Sequence, residues 1–222
     1  MKTTTKKNLI LSALFILAFS LWTLMIVTVD VQPVGVNGTD IGLALINTRF
    51  HSAVGVNMTL YHITDWLGLV PVFVCMVFGL FGLGQLVKRR SLRKVDADII
   101  LLGIYYVIVI AGYLVFEMIP INYRPILIDG FMEASYPSST TLLVLSVMPT
   151  LLFQSQRRLK SGKLKKLIFA VTVMFSVFML IGRLMSGVHW VTDIIGSVFL
   201  SAGLFYIYKA VVLWNSTKSF RN

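Results

Sequence analysis

The chain has 222 residues, of which 57% are hydrophobic and 13% charged, and its formal net charge is +11. So apolar a composition excludes a water-soluble domain unless most of that surface faces lipid. The single cysteine, Cys75, excludes an intrachain disulfide framework and a thiolate metal centre.

A membrane-spanning helix needs about 20 mostly apolar residues, because hydrocarbon offers the backbone no hydrogen-bonding partner. Six stretches approach that length, at about 8–29, 66–87, 99–120, 138–154, 167–185 and 191–213. The fourth is short and opens on polar residues. The first has the basic start of a signal peptide, but its long apolar run without a small-residue cleavage site reads as a retained helix. The expected fold is all-α: one polytopic domain over residues 1–222, with six transmembrane helices and interfacial outer loops.

The positive charges sort the connecting segments. Lys2, Lys6 and Lys7 precede the first span. Lys88, Arg89, Arg90, Arg93 and Lys94 follow the second, and Arg157, Arg158, Lys160, Lys163, Lys165 and Lys166 follow the fourth. The alternate segments hold only Arg49, Arg124 and Arg183. This alternation accounts for the net charge by the positive-inside rule, with both termini cytoplasmic and no nucleic-acid partner. The expected location is the cell membrane, and the expected partner is the bilayer and its lipids. Nothing in the sequence fixes an oligomeric state.

Three outer segments follow from this topology. The first, about 30–65, mixes apolar and small polar residues and reads as lying along the interface. The second, 121–137, contains Arg124-Pro125 and ends in Tyr136-Pro137. The third is a very short turn holding Ser186, Gly187 and Val188.

The chemistry-bearing residues cluster on that side. Arg183, His189 and Asp193 bracket the last turn, a costly set to hold beside hydrocarbon. His189 and Asp193 are four apart, so on a helix they share a face and the carboxylate orients the imidazole. Arg124 adds a second guanidinium, and two such forks suit a phosphate. Ser138, Ser139 and Thr140 open the fourth span, where hydroxyls and free backbone N–H groups favour an anion. Singly, each feature has an ordinary structural reading: an interfacial arginine, a helix cap, a His–Asp hydrogen bond. Their convergence from three loops on one face is what indicates a phosphate site.

The order and spacing of these residues resemble the type-2 phosphatidic acid phosphatases, whose signatures run Lys-x6-Arg-Pro, Pro-Ser-Gly-His and Ser-Arg-x5-His-x3-Asp. The third matches at Arg183, His189 and Asp193, with Gly182 for the leading serine. The first matches at Arg124-Pro125 and the second at Pro137-Ser138. The resemblance implies a lipid phosphatase on the outer face without metal or other cofactor. His189 would be its nucleophile and Asp193 the orienter of the ring, while Arg124, Arg183 and Ser138 would hold the phosphoryl oxygens, with Ser139 and Thr140 beside them. Undecaprenyl pyrophosphate, phosphatidylglycerol phosphate and phosphatidic acid all fit as substrates.

Two positions depart from the pattern: Glu117 stands where the family has lysine, and Thr140 where it has the histidine that protonates the leaving group. Two residues are candidates for the missing acid: Glu117, at the end of the third span, and His62, near the outer end of the second. A pyrophosphate substrate needs the acid least, since its leaving group is a phosphate. The competing expectation is a lipid-phosphate binding or transport protein that keeps the clamp without turnover.

Overall fold

The computed structural model describes residues 3–219, and it is helical throughout apart from turns and three isolated β-bridges. The helices are α1 (Thr3–Thr28), α2 (Ala44–Val54), α3 (Met58–Leu67), α4 (Leu69–Arg89), α5 (Ala97–Met118), α6 (Ser139–Arg158), α7 (Gly162–Met185) and α8 (Val191–Ser219). Leucines along α1 and large side chains such as Phe73 and Leu80 of α4, Val107 of α5 and Met174 of α7 are exposed. Long helices with bare apolar faces are what a lipid solvent requires. The protein is a polytopic all-α membrane protein.

Among the described residues, five helical stretches are long and apolar enough to cross a membrane: Thr3–Thr28, Met58–Arg89, Ala97–Met118, Gly162–Met185 and Val191–Ser216. The expectation of six differs at α6. That helix packs against α4, α5, α7 and α8, and it buries Ser146, Thr150, Gln154 and Ser155 alongside Leu142, Val144, Val147 and Met148. Three of its polar groups meet partners on its neighbours. Tyr105 Oη donates to the Ser146 carbonyl at 3.0 Å, Tyr106 Oη and Thr150 Oγ1 are 2.8 Å apart, and Gln154 Nε2 donates to Tyr208 Oη at 2.8 Å. A helix enclosed by other helices satisfies polar groups internally, so its composition need not be that of a lipid-facing span.

The other difference lies in the first outer segment. The 30–65 stretch contains α2 and α3, and α3 runs into α4 at Gly68, so this helical stretch begins at Met58 and not near Trp66. Asn57 starts α3, its side chain accepting from the Leu60 N–H at 2.9 Å. Residues 121–137 form an irregular hairpin with bridges Tyr123–Ala134 and Ile128–Phe131.

The two ends of the bundle differ in charge. At the basic end, Arg89 and Arg158 meet Asp96 at 2.8 and 2.9 Å, and Arg158 meets Asp98 at 2.6 Å. Burial, the largest single influence on Asp96, raises its pKa, but hydrogen bonds from Arg89, Arg158 and Gln85 outweigh it and hold the carboxyl down at about 2. This network ties α4, α5 and α6 together. The opposite end carries α2, α3, the 121–137 hairpin and the α7–α8 turn.

Candidate functional site

The α7–α8 turn is closed by Gly187 at φ +68, where a Cβ would lie 1.9 Å from the Gly55 carbonyl oxygen. Only glycine fits there. The Ser186 carbonyl accepts from the Asn57 N–H at 2.9 Å, which fastens the start of α3 to this turn. Two turns along α3, Thr64 lies against α7 at Gly182, where a Cβ would stand 2.7 Å from Thr64 Cγ2. The missing side chain at Gly182 is therefore what lets α3 approach. Tyr61 and Thr64, one turn apart and both buried, present one face of α3 to the last turn of α7.

Arg183 leaves that turn fully buried. Its guanidinium carbon lies 5.0 Å from the Tyr61 ring centroid, and that of Arg124, from the hairpin, lies 5.7 Å from the same centroid. One aromatic ring thus holds two cations that repel each other. Arg183 Nη1 stands 3.5 Å from Thr64 Oγ1 and 3.6 Å from Asp65 Oδ1. Arg124 Nη2 pairs with Glu133 at 3.0 Å. Three guanidinium donors, Nε and Nη1 of Arg124 and Nε of Arg183, are buried without a protein partner. Buried charged donors left in that state are costly unless an anion meets them.

His189 sits between the arginines and Asp193. Its Nε2 is 3.2 Å from Arg183 Nη2, which has only protons to offer, so Nε2 is the acceptor and Nδ1 carries the ring proton. Nδ1 lies 3.2 Å from Ser135 Oγ and 3.7 Å from Asp193 Oδ2. Ser135 Oγ in turn donates to Asp193 Oδ2, so the serine hydroxyl links ring to carboxylate. Asp193 is fully buried and also accepts from the Trp190 N–H at 2.9 Å and from Asn122 Nδ2 at 3.5 Å. Trp190 Nε1 donates to the Tyr123 carbonyl at 2.8 Å, anchoring the turn to the hairpin. The His189 pKa lies well below its usual value, first because the ring is buried and then because Arg183 and Arg124 add positive charge beside it. At neutral pH the ring is uncharged and its Nε2 lone pair is free of a proton.

The structure brings Arg124, Arg183, His189 and Asp193 together at one end of the bundle. The other candidates fall elsewhere. Ser138 is fully buried, with its hydroxyl donating to Thr141 Oγ1 at 3.1 Å within the first turn of α6 and its carbonyl accepting from Ser197 of α8 at 3.0 Å. Ser139 and Thr140 line the polar end of a cleft of ≈ 470 Å³ between α4, α5 and α6, together with Asp65 and Gly68. The cleft continues past Val72, Cys75, Val109 and Val147. Glu117 is exposed on the last turn of α5, and the carboxylate at Arg124 is that of Glu133. His62 is exposed beside Tyr61, on a different face of α3 from Tyr61 and Thr64. Among the described residues no three His, Cys, Asp or Glu side chains converge in a metal-binding arrangement.

Sequence reasoning missed Tyr61, Thr64, Asp65, Asn122, Glu133 and Ser135. The spacing of Tyr61, Thr64 and Asp65 at i, i+3, i+4 was the available sign of a helix face within the first outer segment. No local pattern marks Ser135 or Asn122.

The profile of the PAP2 superfamily matches residues 100–217, more than half of the chain and the whole stretch from Arg124 to Asp193. No curated protein sequence matches. Among solved structures, the fold is similar to a crystal structure described as the first transmembrane PAP2 type phosphatidylglycerolphosphate phosphatase from Bacillus subtilis. The TM-score is 0.64 at 18% identity, over 90% of this chain and 95% of that one. The chain belongs to the PAP2 superfamily.

Proposed function

We propose that the protein is a single-domain lipid phosphatase or pyrophosphatase working without metal on the outer leaflet, with His189 as the nucleophile. The observation that carries this reading is a buried, uncharged imidazole whose Nε2 faces Arg183, beside a second guanidinium with two unpartnered donors. A phosphate entering between His189 and the arginines satisfies those donors. Nε2 attacks phosphorus, the P–O bond to the lipid breaks, and a phosphohistidine forms. Ser135 and Asp193 hold the Nδ1 proton and offset the charge that grows on the ring. Water then attacks phosphorus, releasing inorganic phosphate and free His189.

The N–H groups opening α6 at Ser139 and Thr140 add positive potential at the mouth of the cleft. The cleft, polar at that end and apolar beyond, suits a phosphate carried on a long hydrocarbon chain. With α6 as the sixth, enclosed span, both termini lie on the cytoplasmic side and the site on the outer face, in agreement with the basic end of the bundle. Undecaprenyl pyrophosphate, phosphatidylglycerol phosphate and phosphatidic acid are the substrate candidates, and the fold likeness to the Bacillus protein favours testing the second of these.

The test is phosphate release by purified protein in detergent with chelator present. We expect turnover of at least one of these lipids and none by His189→Ala. Release that persists in His189→Ala overturns the mechanism. Thr140, at the position of the family's acid, favours a second reading: a lipid-phosphate binding protein that retains ligand and releases no phosphate.

A further inference from the structure

In-line displacement at phosphorus puts the nucleophile and the leaving oxygen on opposite sides of the transferred group. His189 marks one side. The other is indicated by Arg183, which contacts His189 through Nη2 at 3.2 Å and Asp65 through Nη1 at 3.6 Å. Asp65 is the only carboxylate among the residues lining the cleft. It shares the cleft's polar end with Thr140, whose methyl lies 3.3 Å from where a Cβ on Gly68 would stand. A lipid whose phosphate is held by the arginines and whose chain fills the cleft passes its ester oxygen beside Asp65 and Thr140.

Three other acidic groups at this end are placed for other tasks. Asp193 lies behind the imidazole, Glu133 is paired with Arg124, and Glu117 is exposed on α5. Resting on the phosphatase reading above, we propose that Asp65 is the proton donor to the leaving oxygen, so that a lipid phosphomonoester with an alkyl leaving group is a competent substrate despite Thr140.

Before substrate arrives, Asp65 is a counter-ion to Arg183 with its side chain 55% exposed. A phosphate monoester entering as its monoanion takes over Arg183 and passes its acidic proton to Asp65, so that the carboxyl carries a proton beside the ester oxygen. As the P–O bond breaks, the bonding pair stays on the lipid oxygen, which takes the proton from Asp65. The carboxylate then accepts a proton from the water that attacks the phosphohistidine and hands it to the departing phosphate, which returns Asp65 to the carboxylate that pairs with Arg183. Proton and electron pairs balance over the cycle: one water in, one lipid alcohol and one phosphate out.

The test compares two monoesters, dodecyl phosphate with its alkoxide leaving group and p-nitrophenyl phosphate with a phenolate that needs little protonation. In Asp65→Asn, turnover of the alkyl ester falls about 10²-fold, within the usual range for a general acid. The loss on the aryl ester is smaller by at least about tenfold, since that step relies less on the acid. Asp65→Glu keeps a carboxyl and keeps a ratio near that of the wild type. Equal losses on the two esters, a gain on both, or a ratio in Asp65→Glu as altered as in Asp65→Asn overturn the assignment. A wild-type protein that hydrolyses neither ester nor the lipid candidates overturns the phosphatase reading itself. Active wild type with an unselective Asp65→Asn overturns only the role of Asp65.

Discussion

Ser135 stands between His189 and Asp193, its hydroxyl 3.2 Å from the imidazole Nδ1 and donating to the carboxylate, while the ring and carboxylate themselves are 3.7 Å apart. The carboxylate therefore holds the ring largely through a serine. Ser135→Ala removes this link and leaves Nδ1 without a near acceptor. The loss of one hydrogen bond to a charged group, about 1.5–3 kcal/mol, corresponds to a fall of roughly ten- to a hundredfold in kcat. Asp193→Asn costs more, since it also withdraws the charge that offsets the imidazolium. Steady-state kinetics on one lipid substrate checks the order; a Ser135→Ala enzyme with unchanged kcat contradicts the bridge.

Tyr61 carries both guanidiniums over one ring, at 5.0 and 5.7 Å. Each contact of this kind contributes about 0.5–2 kcal/mol, more when desolvated. Tyr61→Leu should therefore raise KM by about tenfold with a smaller change in kcat, through disorder of the clamp and not of the nucleophile. Tyr61→Phe keeps the ring face and most of the affinity. Equal effects of Phe and Leu would mean that the hydroxyl, not the ring, matters.

The contact between Gly182 and Thr64 makes a reciprocal prediction. A side chain at 182 meets Thr64 Cγ2 at 2.7 Å. Gly182→Ser alone should destabilise the protein by about 1–3 kcal/mol through overpacking. Adding Thr64→Ala removes the obstructing methyl, so the double variant should recover much of the loss, a non-additivity visible in thermal melts in detergent. Additive losses would contradict the packing described for α3.

The pH dependence follows from His189, whose pKa is held well below its usual value by burial and by the two arginines. The unfolded chain binds a proton at His189 below about pH 6.5 while the folded protein does not. Folded stability is thus unaffected by this group above about 6.5 and falls as pH drops toward the depressed value, by at most about 1.4 kcal/mol per pH unit. With His189 as the proposed nucleophile, phosphoenzyme formation is expected to keep an uncharged ring across the same window, with its acid limb below about 6.5. Arg124→Gln removes one positive neighbour and moves that limb toward neutral pH. A limb that stays fixed in Arg124→Gln contradicts the electrostatic account.

The parts of this architecture that were legible in sequence are those written locally. Arg183, His189 and Asp193 lie within one turn and two helix ends, so their spacing already implied their meeting. Arg124 was assigned to the same face by alternating charge. Hydropathy located α1, α5, α7 and α8, because a lipid-facing helix must be apolar along much of its surface. It misread α3, whose Tyr61, Thr64 and Asp65 turn polar groups toward the arginines and resemble an interfacial loop when read as composition. It also under-weighted α6, whose Thr150 and Gln154 side chains find partners on neighbouring helices. Ser135 and Asn122 belong to the site only because the hairpin folds over Asp193, a tertiary event without a local signature. Ser138 spends its hydroxyl on Thr141, one turn further along α6.

His189, as the proposed nucleophile, should carry the phosphoryl group during turnover. The most direct test is to mix substrate labelled at the transferred phosphate with enzyme, quench within one turnover, and locate the label on the protein. An acid-labile, alkali-stable phosphoenzyme is expected at His189, forming and decaying at rates consistent with phosphate release and absent in His189→Ala. Phosphate release at full rate with no labelled protein at any time, or label on another residue that survives in His189→Ala, would contradict this role of His189.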